Sequence, residues 1–207
     1  MIAVLSDMDG VLVDSGAAVE RVWRRWAAKH DLDHDAVAHL IHGRPSREAV
    51  AAVLPHADAD EESRWIEDEQ ARDVAGVAAI PGARELLTTY APLAVVTSAT
   101  LPLATARFRA AALPVPEHLV TADRIAAGKP DPEGYLLAAR LLGVAPSRCV
   151  VLEDSPAGLA AARAAGMRAI GVLTTHAPHE LGDAQLLVAD LEGLAARLRQ
   201  GGDDPLR

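Results

Sequence analysis

The chain has 207 residues, 50% hydrophobic and 24% charged, with a net charge of -9. These are globular values that exclude a disordered polymer and disfavour a nucleic-acid backbone or an anionic membrane surface as partner. Its apolar runs, such as Cys149-Val150-Val151-Leu152, are far too short to cross a bilayer. The opening Met1-Ile2-Ala3-Val4-Leu5-Ser6-Asp7 has neither a basic leader nor a long apolar stretch, so no secretion signal and a cytoplasmic location are expected. The single cysteine, Cys149, permits no internal disulfide and reads as a buried strand thiol.

Residues 2–5 form the first short apolar run and read as a buried strand. The stretch from Asp14 to Leu93 is far too long for one crossover, which needs about a dozen residues or more. It therefore holds an insertion. Val19, Val22, Trp23, Trp26 and Ala27 mark one helical face; Val50, Val53 and Leu54, then Trp65, Ile66 and Val74, mark others. Residues 16–80 are predicted to be a small helical cap, set into a core of residues 1–15 and 81–207. All three tryptophans lie in that cap, where packing is the expected role.

After the cap, helices are predicted over 82–90, 102–112, 132–142 and 156–165, alternating with strands over 93–96, 119–121, 149–152 and 169–172. Asp131-Pro132 and Ser155-Pro156 read as an N-cap followed by an N1 proline, and Gly143 and Gly166 as the C′ residues that stop those helices. The alternation predicts an α/β fold: a doubly wound, Rossmann-like parallel sheet core with an inserted all-helical cap domain. The tail, 201–207, is expected to fray.

Ligands of open α/β sheets bind beyond the carboxyl ends of the strands. Asp7-Met8-Asp9-Gly10 follows the first strand here, Thr97-Ser98 the second and Glu153-Asp154 the fourth, with Lys129 in the turn before the helix leading to that fourth strand. Eighteen of the 20 basic residues are Arg, so a lysine in Gly128-Lys129-Pro130-Asp131-Pro132 points to a need for a compact ammonium. Converging carboxylates repel one another unless a cation neutralises them. A hard divalent ion fits such oxygen donors, with magnesium held by Asp7, Asp154 and the Asp9 carbonyl, and Glu153 as a further ligand or a supporting partner. The cap histidines His30, His34, His39, His42 and His56 lack the spacing of a zinc site.

Four segments occur in order: Asp7-Met8-Asp9-Gly10-Val11-Leu12-Val13-Asp14-Ser15, Val96-Thr97-Ser98, Gly128-Lys129-Pro130-Asp131-Pro132, and Leu152-Glu153-Asp154-Ser155-Pro156-Ala157-Gly158. Together they resemble the four motifs of the haloacid dehalogenase-like superfamily, over nearly the whole chain. The later motifs and their spacing are most similar to small sugar- and polyol-phosphate phosphatases, including those acting on glycerol 3-phosphate and 2-deoxyglucose 6-phosphate. The resemblance implies that Asp7 attacks phosphorus and that Asp9 protonates the leaving alkoxide, then activates water. Thr97 and Ser98 would bind phosphoryl oxygens, while Lys129 and magnesium offset charge.

The Gly43-Arg44-Pro45-Ser46-Arg47 segment resembles the cap loop that faces the site in related enzymes, so Arg44 or Arg47 is a candidate substrate contact, with a solvated arginine as the alternative. Asp14, Ser15, Asp131 and Ser155 read as turn or cap residues, and Glu67-Asp68-Glu69 as a wet helix face. A β-phosphoglucomutase-like mutase is the nearest rival, but such enzymes carry a histidine near the position of Val19. Dehalogenase relatives lack the second acid of the pair, and phosphonatases need a cap lysine, for which Lys29 is the one candidate. A non-catalytic binding protein would have no need of clustered charge. The expected partner is a small phosphorylated sugar or polyol, with no obligate protein partner evident.

Overall fold

The computed structural model describes residues 2–41 and 45–200. His42, Gly43, Arg44 and the tail 201–207, for which expectations were stated, lie outside the described residues. In chain order the elements begin with strand β1 (Ala3–Ser6), the two-residue strand β2 (Val13–Asp14) and four helices: α1 (Gly16–Lys29), α2 (His34–Ile41), α3 (Ser46–Val53) and α4 (Ala59–Arg72). The short strand β3 (Ala78–Ala79) follows, then α5 (Ala83–Thr89), β4 (Leu93–Val96), α6 (Leu101–Ala110), β5 (Leu119–Val120) and α7 (Glu133–Leu142). The chain continues through β6 (Cys149–Glu153), α8 (Pro156–Ala164), β7 (Arg168–Val172), β8 (Leu186–Val188) and α9 (Leu194–Gln200).

Six strands pair in the order β5-β4-β1-β6-β7-β8, and every pairing is parallel. The chain builds outward from β1 to one side through β4 and β5, then returns to build the other side from β6. This makes the carboxyl end of β1 the point where the winding reverses, the usual ligand crevice of such sheets. The alternation of strand side chains sorts the core into two layers. Val4, Val150 and Leu152 pack with Leu86, Phe108 and Leu198 on one face; Ala3, Leu5, Cys149 and Val151 pack with Tyr135, Ala138 and Leu159 on the other.

Helices α1 to α4 hold a third apolar cluster of their own, built on Val22, Trp23, Trp26, Val50 and Ile66. Trp23 and Trp26 meet edge to face, with ring centroids 5.3 Å apart and planes at 83°, so the tryptophans are packing residues as expected. The antiparallel β2–β3 pair, Val13 opposite Ala79 and Asp14 opposite Ala78, draws the two ends of the insertion together at its root.

Three differences from the predicted elements have local causes. Helix α7 begins one residue later than predicted, because Pro132 itself occupies the N-cap position while Asp131 accepts from the Glu133 N–H at 2.9 Å. Strand β8, Leu186–Val188, is apolar but only three residues long and none of them is fully buried, too short a run to register. Helix α9 shows its apolar face only through Leu194, Ala195 and Leu198.

Candidate active site

Asp7 follows β1 directly, and its N–H still donates to Leu152 O at 2.9 Å, so the carboxylate leaves the sheet beside β6. The loop then tightens: the N–H groups of Leu12 and Val13 both turn back to Met8 O, at 2.8 and 2.9 Å. Gly10 takes φ 77°, and a Cβ there would run into the Asp154 carboxylate. Only glycine meets both demands. Thr97 continues β4, its N–H donating to Val120 O at 2.9 Å and its hydroxyl accepting from Ala99 N–H at 3.1 Å.

Lys129 lies between two carboxylates, its Nζ 2.6 Å from Asp7 Oδ1 and 2.5 Å from Glu153 Oε1. Burial works against its charge, but the Asp7 and Glu153 charges and bonds overcome it and raise the lysine above its ordinary value. Asp7 moves the other way from the usual carboxylate: burial lifts it well above its ordinary range, with Lys129 opposing and the Glu153 and Asp154 charges adding to the rise. Asp154 is pushed up to about 6 by burial and the Glu153 charge, against the hydrogen bond from Thr175 and the Lys129 charge.

Glu153 is fully buried and satisfied on both oxygens. Oε1 receives the Tyr135 hydroxyl at 2.8 Å as well as Lys129; Oε2 receives the N–H groups of Asp154 and Ser155 at 3.1 Å and the Ser155 hydroxyl at 2.9 Å. Burial pushes it up, but Lys129 and these donors outweigh that and hold it below its usual value. A Cβ on Gly158 would strike this carboxylate. Glu153 is therefore better fitted to anchor Lys129 than to bind an ion directly. Ser155 also caps α8 as expected, accepting from Gly158 N–H at 3.1 Å.

Among the described residues, Asp7, Glu153 and Asp154 form the one acidic, cysteine or histidine group able to share a metal, each offering an oxygen within 4.8 Å of the others. Three carboxylates beside one ammonium leave two negative charges, the balance a divalent cation would meet. The donors are all oxygen, so a hard cation suits them.

Asp9 points along the wall of the same cleft. Its Oδ1 accepts from the Ser15 hydroxyl at 2.6 Å and its Oδ2 from Arg107 Nη1 at 2.6 Å. Ser15 takes the N-cap position of α1 as expected, but its hydroxyl makes no cap bond and donates to Asp9. The cleft encloses about 530 Å3 between Asp7, Asp9, Thr97, Ser98, Lys129 and Asp154 on the sheet side and Val19, Glu20 and Pro45 on the helical side. Arg47 is not brought there: it is exposed on the cap and pairs with Asp60 at 2.5 Å. Glu67, expected on a wet face, is instead half-buried against a side cavity, where burial raises its carboxyl.

Sequence reasoning missed Arg107, Thr175 and His176. Thr175 bonds the Asp154 carboxylate, and both it and His176 line the cleft. They follow β7, so the strand-end rule that found Asp7, Thr97 and Glu153 would have found them had it been extended to one more strand. For Arg107 the signal was a charge on the apolar face of α6, between Leu103 and Phe108.

Three outcomes follow from these electrostatics. A carboxyl whose folded value is raised favours the folded state while protonated, and that contribution is lost as pH rises from about 4, the unfolded value, through about 6. In EDTA, Asp154→Asn should therefore gain stability over the parent by a margin that grows across that window to about 3 kcal/mol. Added magnesium, used as the probe cation, should raise the thermal midpoint of the parent above pH 6 and leave the variant unmoved; equal shifts in both would contradict the site. Lys129→Met leaves two buried carboxylates unpaired and should lose about 3–5 kcal/mol in urea unfolding followed by circular dichroism.

Residues 1–166 match the family described as haloacid dehalogenase-like hydrolase. The chain is similar to Hexitol phosphatase A of Escherichia coli (strain K12), 40% identical over 206 residues, covering 96% of this chain and 95% of that one. It is also similar to Glycerol-1-phosphate phosphohydrolase 1 of Saccharomyces cerevisiae, 33% identical over 187 residues and covering 84% and 75%. Among solved structures, CbbY from Rhodobacter sphaeroides in complex with phosphate superposes with a TM-score of 0.81 at 29% identity, covering 94% of this chain and 96% of that one. With the family match running through β1, the cap and the Lys129 and Glu153-Asp154 segments, the chain belongs to the haloacid dehalogenase-like hydrolases.

Proposed function

We propose that this protein is a magnesium-dependent phosphatase acting in the cytoplasm, which hydrolyses a small sugar or polyol phosphate monoester through an aspartyl phosphate on Asp7. In this reading residues 1–15 and 81–207 are the catalytic core, and residues 16–80 the cap over it. The observation that carries it is the contact of Lys129 Nζ with Asp7 Oδ1 at 2.6 Å, at the cleft and beside Asp154. A buried carboxylate held this way has one oxygen fixed by a cation and a second left for attack.

Asp7 forms the new oxygen–phosphorus bond as the ester oxygen–phosphorus bond breaks, and Asp9 gives the departing alkoxide its proton. Water then attacks the same phosphorus, Asp9 takes the proton, and inorganic phosphate leaves with the Asp7 carboxylate restored. Thr97, Ser98 and Lys129 orient the phosphoryl oxygens throughout. Magnesium, held by Asp7, Asp154 and the Asp9 carbonyl, would supply positive charge against the nucleophile and the phosphoryl group. Glu153 keeps Lys129 in place.

Two relatives support the substrate class, since their names give them as phosphatases of a hexitol and of glycerol 1-phosphate. The cleft suits a molecule of that size. Val19 lines it where a mutase of the β-phosphoglucomutase kind would carry histidine, so no imidazole is offered there. Lys29 pairs with Glu62 at 3.0 Å and does not line the cleft, which speaks against a phosphonatase lysine.

A panel of small phosphate esters, assayed with and without magnesium, tests the reading. Free phosphate should appear only with the metal, with hexitol and glycerol phosphates among the best substrates. Asp7→Asn should lower turnover by on the order of 10^4-fold or more with the fold intact by circular dichroism. An isomerised ester in place of free phosphate would favour the mutase, and full activity in Asp7→Asn would remove the nucleophile.

A further inference from the structure

Arg107 is a charged residue in an apolar position. It projects from α6 in line with Leu103 and Phe108, and is only 5% exposed. Burying a guanidinium is unfavourable unless it is paired and hydrogen-bonded. Arg107 meets that requirement with two partners on different parts of the chain: Nη1 donates to Asp9 Oδ2 at 2.6 Å, and Nη2 donates to Gln70 Oε1, also at 2.6 Å. Gln70 belongs to α4 of the cap and is itself buried. The guanidinium thus joins the loop after β1 to a cap helix through a single planar group.

The surroundings give that link direction. Asp9, Ser98, Glu67, Gln70 and Arg107 line a side cavity of about 160 Å3 that opens beside the main cleft, and Asp9 borders both spaces. Ser15 fixes the other oxygen of Asp9, and Ser15 stands at the root of the cap, just after β2. Both oxygens of one carboxylate are therefore held by residues that also touch the helical insertion, Ser15 at its root and Arg107 through Gln70.

We propose that Arg107 is a positioning residue that aims the Asp9 carboxylate and, through Gln70, makes that aim depend on the seating of cap helix α4 against α6. The proposal rests on Asp9 being the acid–base group of the phosphatase reading. Its physical basis is orientation: displacing a reacting group by about 1 Å can lower a rate on the order of 10^2-fold. The planar fork of arginine reaches both partners at once, whereas a lysine ammonium, a single point on a flexible stem, does not reproduce that geometry.

The test compares Asp9→Asn, Arg107→Met, Arg107→Lys and Gln70→Leu on two esters, glycerol 1-phosphate and p-nitrophenyl phosphate. The second has a leaving group that departs without a proton, so its first step does not need an aimed acid. With glycerol 1-phosphate, Arg107→Met should lose about 10- to 100-fold in kcat while KM changes less than about threefold. Arg107→Lys should recover part of that loss, and Gln70→Leu should show a loss of about 3- to 10-fold in the same parameter. With p-nitrophenyl phosphate the rapid first release of p-nitrophenol should survive in all three.

Thermal midpoints of the four proteins identify any loss of fold. If both Arg107 variants match the parent on glycerol 1-phosphate while Asp9→Asn is inactive, the positioning role fails and the acid–base reading stands. If Asp9→Asn keeps full activity, the reading of Asp9 fails and takes the proposal with it. An equal loss on both esters, including the rapid first release, would mark Arg107 as merely structural and overturn the proposal. Full activity in Gln70→Leu would remove the link to the cap.

Discussion

Everything at the site depends on one buried ammonium held between two carboxylates. At separations of 2.6 and 2.5 Å, the attraction of Lys129 to Asp7 and to Glu153 is about 6 kcal/mol each at an effective dielectric near 20, before the opposing desolvation of all three groups. That balance becomes favourable only because Glu153 is saturated by further donors from Tyr135, Asp154 and Ser155. Lys129 cannot drift, so Asp7 cannot either. Burial first, and then the neighbouring carboxylate charges, raise Asp7 and Asp154, and these are the groups whose charge a hard cation would offset.

The sheet order explains how these groups meet. Asp7 leaves β1, Thr97 leaves β4 and Glu153-Asp154 ends β6, and these three strands are neighbours with β1 in the middle. Parallel pairing aligns their carboxyl ends, so residues far apart in the chain reach one edge. The cap enters the same loop that follows β1, between Asp14 and Ala78. Its geometry therefore acts on the one residue of the loop, Asp9, that is bonded both to the root of the cap and, by way of Arg107, to α4.

Strand-end chemistry was legible in the sequence because it obeys a local rule: a buried apolar run followed at once by charge. Asp7, Thr97 and Glu153-Asp154 were placed at one sheet edge by their position at strand ends, Lys129 was singled out by its rarity among arginines, and the helical insertion was apparent from its length and its Trp23 and Trp26 face. Arg107 was not, since nothing near it in sequence hints at Asp9, 98 residues away; its partners exist only once α6 is packed against α4. Arg47 illustrates the reverse case. Its motif neighbours suggested a substrate contact, but its side chain finds Asp60 across the cap surface. Ser15 is the N-cap of α1, as its residue type suggested, and its hydroxyl is drawn to Asp9 because that carboxylate lies within its reach.

The central claim is that Asp7 takes the phosphoryl group onto its own carboxylate. Mixing the protein with glycerol 1-phosphate and magnesium, quenching in acid within the first turnover and digesting the chain for mass spectrometry examines it directly. The account predicts a phosphoryl group on the peptide carrying Asp7, decaying as inorganic phosphate forms, and absent when Asp7→Asn is used. Phosphate released at the full rate with that peptide unmodified throughout would contradict it.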